Sequence, residues 1–447
     1  MQISIDLMLI TIAITTIAAV AGGLITMIFP GMHVYNLLGF MMIFSMATVE
    51  AINPIFLASI IVGLMLGYIM TFSSISTLYF QAPDDSTMFF MMPSQKYMMK
   101  GKGHAAAVLG AVGSLVGVLI VVVGLPLGGF IIKIFYDVFK DAMFFLTGIV
   151  ICFILMSEWP KDFGQGQTKW QRMRDGWSTL TWGYLVFFLA SILGIINFNK
   201  PLIPASNAFQ SLAPIFIGLF AIPSMITNVI SKTNIPPQFV SKSVHIRAHH
   251  IIQSGVSGAA GGMYGAVTPG VTPGPAGYMA GHATAQGGET NFLMSMNVNR
   301  IVYYVGAATL LLHPDVHLRR GGVSMFIDLF GYTPKSSADY YMVVSALCFA
   351  AFFSFLLILG LSRLAGKFLR KLDFRIISMI SIVVLIAIVA LFTSWQGLIV
   401  LTVASGLGLL PVLFQTRRMN LLAVLLTPMF LNMSGAGGTV AKFLGLI

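Results

Sequence analysis

The chain has 447 residues, of which 57% are hydrophobic and only 9% charged, and its mean hydropathy is +0.90. Soluble domains carry about 25% charged residues, so this composition excludes one and describes an all-α polytopic membrane protein. The net charge of +11 comes with no RNA- or DNA-binding motif, so no nucleic acid is expected as a partner. Basic loops on one membrane face account for it.

In chain order, residues 7–52 are apolar, too long for one straight span, and interrupted by Pro30-Gly31. Asp6 is the only charge in the first 28 residues, and without a basic leader region this segment is read as retained structure. Apolar stretches long enough to cross follow at 55–80, 104–124, 141–157, 176–197 and 211–230. A second interrupted stretch, 252–284, contains Pro269-Gly270 and Pro273-Gly274. Five more spans are expected at 292–312, 338–362, 376–393, 397–413 and 419–435.

Loops at 93–103, 158–175, 231–253, 363–375 and 416–418 hold 3, 4, 3, 5 and 2 Lys/Arg, against 7 in the alternating loops and termini. That asymmetry puts the first set in the cytoplasm of a prokaryote and makes this an integral, multi-pass protein of its cytoplasmic membrane. Five spans per half is an odd number. Two like halves, 1–235 and 236–447, therefore enter from opposite sides as inverted-topology repeats, each a broken or re-entrant helical hairpin plus about five transmembrane helices.

The two interruptions share a skeleton. GGLITMIFPG at 22–31 and GGMYGAVTPG at 261–270 keep every glycine and the proline of GG-x6-PG in register. Proline removes a donor and clashes with the preceding turn, and freed backbone groups cannot face hydrocarbon. Such breaks are buried in protein or line a watery site, and paired breaks in inverted halves point to a transport site near the midplane. A bland alternative is a pair of proline-kinked helices that pack tightly.

Polar residues follow both breaks. After the first come His33 and Asn36, and around the second lie Thr268, Thr272 and His282. At bilayer depth these are costly and point to function.

On these residues the chain resembles the large membrane subunit of tripartite tricarboxylate transporters, the TctA-type permeases, and within them an uncharacterised prokaryotic branch. The resemblance rests on the Pro-Gly segment at 22–31 with His33 and Asn36, on APDDSTMFFMMPSQ at 82–95, on GKGHAAAVLGAVGS at 101–114 and on SGAAGGMYGAVTPG at 257–270. It implies an ion-coupled carrier built from inverted repeats. One motif departs from the pattern: the tyrosine- and double-glycine-rich segment of such permeases is replaced by YIMTFSSISTLYF at 68–80.

The expected function is secondary transport of a small organic anion, a carboxylate, by alternating access with H+ or Na+ as coupling ion and no cofactor. Pro30, Gly31, His33, Asn36, Thr268, Pro269, Gly270, Thr272, Pro273, Gly274, Asn297 and Arg300 are the substrate-binding candidates. Helix N-termini at the breaks suit an anion, and the Arg300 guanidinium fits a carboxylate bidentately. His33, Asp84, Asp85 and Glu289 are the candidates for coupling; a solvated helix cap is the alternative for the aspartates. His245 and His249 have i,i+4 spacing without a completing ligand, so no metal site is expected.

Membrane lipid is a neighbour throughout, and a small membrane subunit or an extracytoplasmic receptor is a candidate partner. The rival reading is a flippase for a lipid phosphate such as polyprenyl phosphate. Intramembrane enzymes are disfavoured, because neither G-x-S-x-G nor H-E-x-x-H occurs.

Overall fold

A computed structural model describes residues 5–28, 53–75, 85–158, 168–204, 211–231, 235–284, 287–314, 316–319, 324, 327–328, 332–368 and 373–447. Side chains of a few helical residues, Asp85 among them, are outside this description. Every regular element among the described residues is helical.

The first half contains α1 (Ile5–Ile28), α2 (Pro54–Ile75), α3 (Asp85–Met99), α4 (Gly103–Phe139), α5 (Met143–Ser157), α6 (Lys169–Asn199) and α7 (Leu212–Ile230). The second contains α8 (Ala248–Val267), α9 (Pro273–Ala283), α10 (Glu289–Leu312), α11 (Ser337–Phe368), α12 (Phe374–Leu413), α13 (Ala423–Met433) and α14 (Gly437–Phe443).

Local sequence sets many of these ends. Asn53 caps α2, its Oδ1 accepting the Ile55 N–H at 3.2 Å just before Pro54 opens the helix. Thr168 and Gln171 form a reciprocal capping box on α6, and Asp373 caps α12 through the Arg375 N–H at 2.9 Å. Eight described helices are long and apolar enough to cross a membrane, nine if α13 and α14, bent by 114°, are one broken span together with the 3-10 turn Arg418–Leu422.

The expected span 292–312 is a helix, α10, but is not among the described helices apolar enough to cross by themselves, and the shape changes at two other places. The stretch 419–435 opens as the 3-10 turn Arg418–Leu422, continues as α13, and ends at Ser434-Gly435, where Gly435 takes a φ of +78°. The stretches 376–393 and 397–413 are two arms of α12, bent where Ser394 leaves helical geometry at φ 55°, ψ −158°.

Helices cross where glycines remove the side chain between them. Gly67 of α2 lies against the Ala19 carbonyl of α1, and Gly258 of α8 lies against the Ser295 carbonyl of α10. α4 uses Gly113 and Gly117 to reach Met294, Val298 and Ile301 of α10, while α2 packs on α11. α7 packs on both arms of α12, and α13 packs on α5 and α6. The α1–α2, α2–α11 and α7–α12 pairings have the α8–α10, α4–α10 and α13–α5/α6 pairings as parallels. The linker 235–247 straps the α3–α4 turn, with the Phe239 N–H donating to Gly101 O at 2.8 Å and the Gly103 N–H to Gln238 Oε1 at 3.0 Å.

Candidate functional site

α8 stops at Val267 and α9 begins at Pro273. Between them runs Thr268-Pro269-Gly270-Val271-Thr272, with Gly270 at φ +75°, a left-handed conformation that suits a residue without Cβ. The two helices then lie side by side: Gly261 faces Ala276 and Gly277, and Gly265 faces Ala276. Residues sixteen apart would stand about 24 Å apart in one continuous helix. The second interruption is therefore a helical hairpin, as its sequence predicts.

At its tip Thr268 and Val271 are buried, and Pro269, Gly270 and Thr272 are half-buried against neighbouring helices. The freed Pro269 carbonyl accepts from Thr147 Oγ1 of α5 at 3.1 Å. Gly270 rests on Met429 of α13, Val271 is buried, and the Tyr264 hydroxyl donates to Leu146 O at 2.7 Å. The hydroxyls of Thr268 and Thr272, in the tandem TPGVTPG, have no hydrogen-bond partner among the described residues.

α10 forms the wall against which this hairpin packs. Asn299 is fully buried and its Nδ2 donates to Pro273 O at 2.6 Å, across the first turn of α9. Its Oδ1 has no hydrogen-bond partner among the described residues. Arg300 is also buried, but one residue on is about 100° round the helix. Its guanidinium carbon lies 5.8 Å from the centre of the Phe72 ring on α2, and Phe72 stacks on Tyr68 at 4.8 Å. Asn297 shares the Arg300 side and donates from Nδ2 to Leu293 O at 2.7 Å. The structure thus brings Asn299 to the hairpin and aims Arg300 at α2.

Glu289 lies in the first turn of α10, about 16 Å along the axis from Arg300. It pairs with Lys96 at 3.1 Å and Lys100 at 3.9 Å, and beside it Tyr97 Oη and Thr290 Oγ1 are 2.8 Å apart. α3 therefore crosses the mouth of the hairpin. Phe89 of α3 meets Tyr278 of α9 at 5.4 Å, and Tyr278 also meets Phe153, His282 and Phe292. Pro30, Gly31, His33, Asn36 and Asp84 lie outside the described residues, as does the Asp85 side chain.

Sequence reasoning missed Thr147, an isolated threonine in an apolar span, and Glu158, which reads as a loop residue. Glu158 is only 3% exposed; its Oε1 accepts from the Arg417 N–H at 2.6 Å and from Asn420 Nδ2 at 2.7 Å. It caps the turn that leads into α13 from a different helix end. His104 was another omission: buried at the start of α4, its Nδ1 lies 2.9 Å from Ser362 Oγ of α11. The sequence signal for Asn299 was present in NVNR, where the choice fell on its neighbours.

An apolar cavity of about 90 Å³ lies behind the tip, lined by Val121, Leu125, Met263, Val267, Val302 and Leu310 among others. Ligand pockets usually span about 300–1,000 Å³, so this one is not a solute pocket.

No solved structure matches the chain at a significant level. An uncharacterized protein of Methanocaldococcus jannaschii is 25% identical over 426 residues, covering 92% of this chain and 96% of its own. The family described as tripartite tricarboxylate transporter TctA matches residues 13–423. This chain is a member of that tripartite tricarboxylate transporter TctA family, and an integral membrane protein.

Proposed function

We propose that this protein is a secondary carrier that moves a small organic anion, a carboxylate, across the cytoplasmic membrane of a prokaryote by alternating access, driven by a proton or sodium gradient. One observation carries the reading: the partly buried tip of a helical hairpin presents two threonine hydroxyls with no partner among the described residues, and the polar helix α10 packs against the hairpin. The Thr272 hydroxyl, on the N-cap residue of α9, sits where the helix dipole favours negative charge. Family membership supports the same class of cargo, and a tripartite system implies further subunits that deliver it.

The recurring helix pairings support two inverted repeats, 1–235 and 236–447. On this reading α3 is the cover on the side expected to face the cytoplasm. Its exposed ion pairs to Glu289 are each worth no more than about 1 kcal/mol, weak enough to break in each cycle. Arg300 acts from the α2 side of α10 in the complementary state.

The test is uptake of labelled di- and tricarboxylates into proteoliposomes under imposed proton or sodium gradients. Gradient-driven uptake that falls at least about tenfold in Thr268→Val/Thr272→Val is expected, the loss of roughly 1.4 kcal/mol or more of recognition. Absence of uptake under every gradient, with flipping of a polyprenyl phosphate instead, would overturn it.

A further inference from the structure

We propose that the acyl chain of a membrane phospholipid occupies the apolar cavity behind the second hairpin, between α4, α8 and α10. The site goes beyond the carrier reading and does not depend on which cargo is carried.

Glycines shape this space in a way that helix packing does not require. Nearer the start of α4, Gly113 and Gly117 press against α10: Cβ atoms built there would stand 2.5 Å from Met294 O and 2.8 Å from the Ile301 side chain. Gly124 lies about two turns beyond Gly117 on the same face, and a Cβ there would meet nothing within 4 Å. Across from it, Val302, Gly306 and Leu310 recur at every fourth residue of α10, and a Cβ on Gly306 would meet only Val121, at 4.0 Å. Two notches therefore border one space where α4 and α10 no longer interlock, and Met263 and Val267 of α8 close its third side. The result is the cavity of about 90 Å³.

Its walls select hydrocarbon. Thr309 is the one hydroxyl-bearing residue among those lining it, and its Oγ1 donates to Gly306 O at 2.9 Å within its own helix. Water held there would need about two to four polar partners, which these apolar side chains do not supply. An empty space would forfeit dispersion contacts on every wall. An acyl chain restores them, and it leaves the bilayer without a desolvation cost because lipid tails are as apolar as leucine.

Depth and access fit the same occupant. Gly306 is 17 residues beyond the ion-paired Glu289 that opens α10, and Met263 is 15 beyond Ala248, the start of α8, so they lie about 26 and 23 Å along their helices. Both depths fall inside hydrocarbon roughly 30 Å thick. The mouth is continuous with the lipid-facing surface: Leu119 and Val123 of α4 and Val256 and Met263 of α8 are exposed, and Met263 itself lines the cavity. α10 is enclosed, with Val302 and Leu310 each only 5% exposed. A chain that enters past Met263 reaches α10 and lies against Val267, the last residue of α8, so a bilayer lipid touches the end of the hairpin's first arm.

The test is photolabelling of the full-length protein in phosphatidylcholine and phosphatidylglycerol vesicles, doped with a phosphatidylcholine that carries a diazirine near the end of one acyl chain. Labelled peptides are mapped by mass spectrometry. Label is expected on the α10 segment 302–310 as well as at Leu119 and Val123, which any surrounding lipid reaches. Gly306→Leu fills its notch and abolishes the α10 label, while the label at Leu119 and Val123 persists. Gly124→Leu fills the same space from the opposite wall, where its Cβ meets no neighbour, and decides the matter if Gly306→Leu does not fold. Absence of label on α10 in the wild-type protein, or α10 label that survives both fillings, overturns the acyl-chain site. Loss of the α10 label to added polyprenyl phosphate, with Leu119 and Val123 still labelled, overturns it as well, by giving the cavity to an isoprenoid tail.

Discussion

α2 and α10 stand in matching places in the two halves, each the buried partner of the helix that opens its half, and their chemistry differs. α2 is buried over 89% of its spanning window and is almost wholly apolar, with Ser59 turned back onto Ile55 O at 2.7 Å. α10 is as deeply buried but places Asn291, Asn297, Asn299 and Arg300 there. The same packing role is filled once by an apolar helix and once by one that carries polar groups. The contacts that hold α10 in place, through glycines of α4 and α8, do not depend on which side chains point elsewhere.

The comparison can be broken first at its most expensive residue. Arg300→Ala leaves a void beside Phe72, at a cost of about 2–5 kcal/mol. Phe72→Ala on α2 costs a similar amount through the cavity alone. Both are read as lost thermal stability of the purified protein. Near-native stability of Arg300→Ala would show that α10 tolerates its charge no better than an ordinary side chain.

Glu158→Ala tests an anchor remote from α10. It strands the Arg417 N–H and the Asn420 amide, for a loss of about 2–3 kcal/mol, and Glu158→Gln, which keeps an acceptor, restores most of it. Equal losses in both variants would place the effect on charge.

The double variant Thr268→Val/Thr272→Val sharpens the contrast by separating stability from transport. Deleting hydroxyls that have no described partner changes stability by less than about 1 kcal/mol, in either direction, while carboxylate uptake falls. Parallel loss of stability and uptake would mark them as structural.

The smallest effect belongs to the α3 cover. Glu289→Gln removes two exposed ion pairs, changes stability by about 0–1 kcal/mol, and leaves any effect on transport rate weaker at high salt. A salt-independent change would assign Glu289 another role.

Much of the frame was legible in the residues. Long apolar runs marked α1, α2, α4–α7, α11 and α12, because a bilayer demands about 20 apolar residues per crossing. Pro269-Gly270 marked the second hairpin, because proline and a left-handed glycine cannot continue a helix. The stretch 292–312 was expected as an apolar span, but the polar side chains of α10 keep its hydropathy below that of its neighbours, and only its surroundings reveal how completely it is buried.

The site was half legible. The sequence named Thr268 and Thr272, and in NVNR it presented Asn297, Asn299 and Arg300 as near equals. Choosing among them requires the rotation of α10 about its axis, which follows from where Gly113, Gly117, Gly258 and Gly262 let other helices approach. Thr147, Glu158 and His104 act across more than a hundred residues of chain, on Pro269, Arg417 and Ser362, and no local pattern announces such partners.

By itself, then, the sequence determined that this chain lives in a bilayer, that it is helical, and where backbone hydrogen bonding must fail; these follow from hydropathy and from the covalent limits of proline and glycine. The tertiary structure alone decided that the failed segment folds back beside α10, that Asn299 rather than Arg300 meets it, and that Thr147 receives its carbonyl. Those outcomes depend on which helix faces touch, and contact between distant segments is set by packing of the whole.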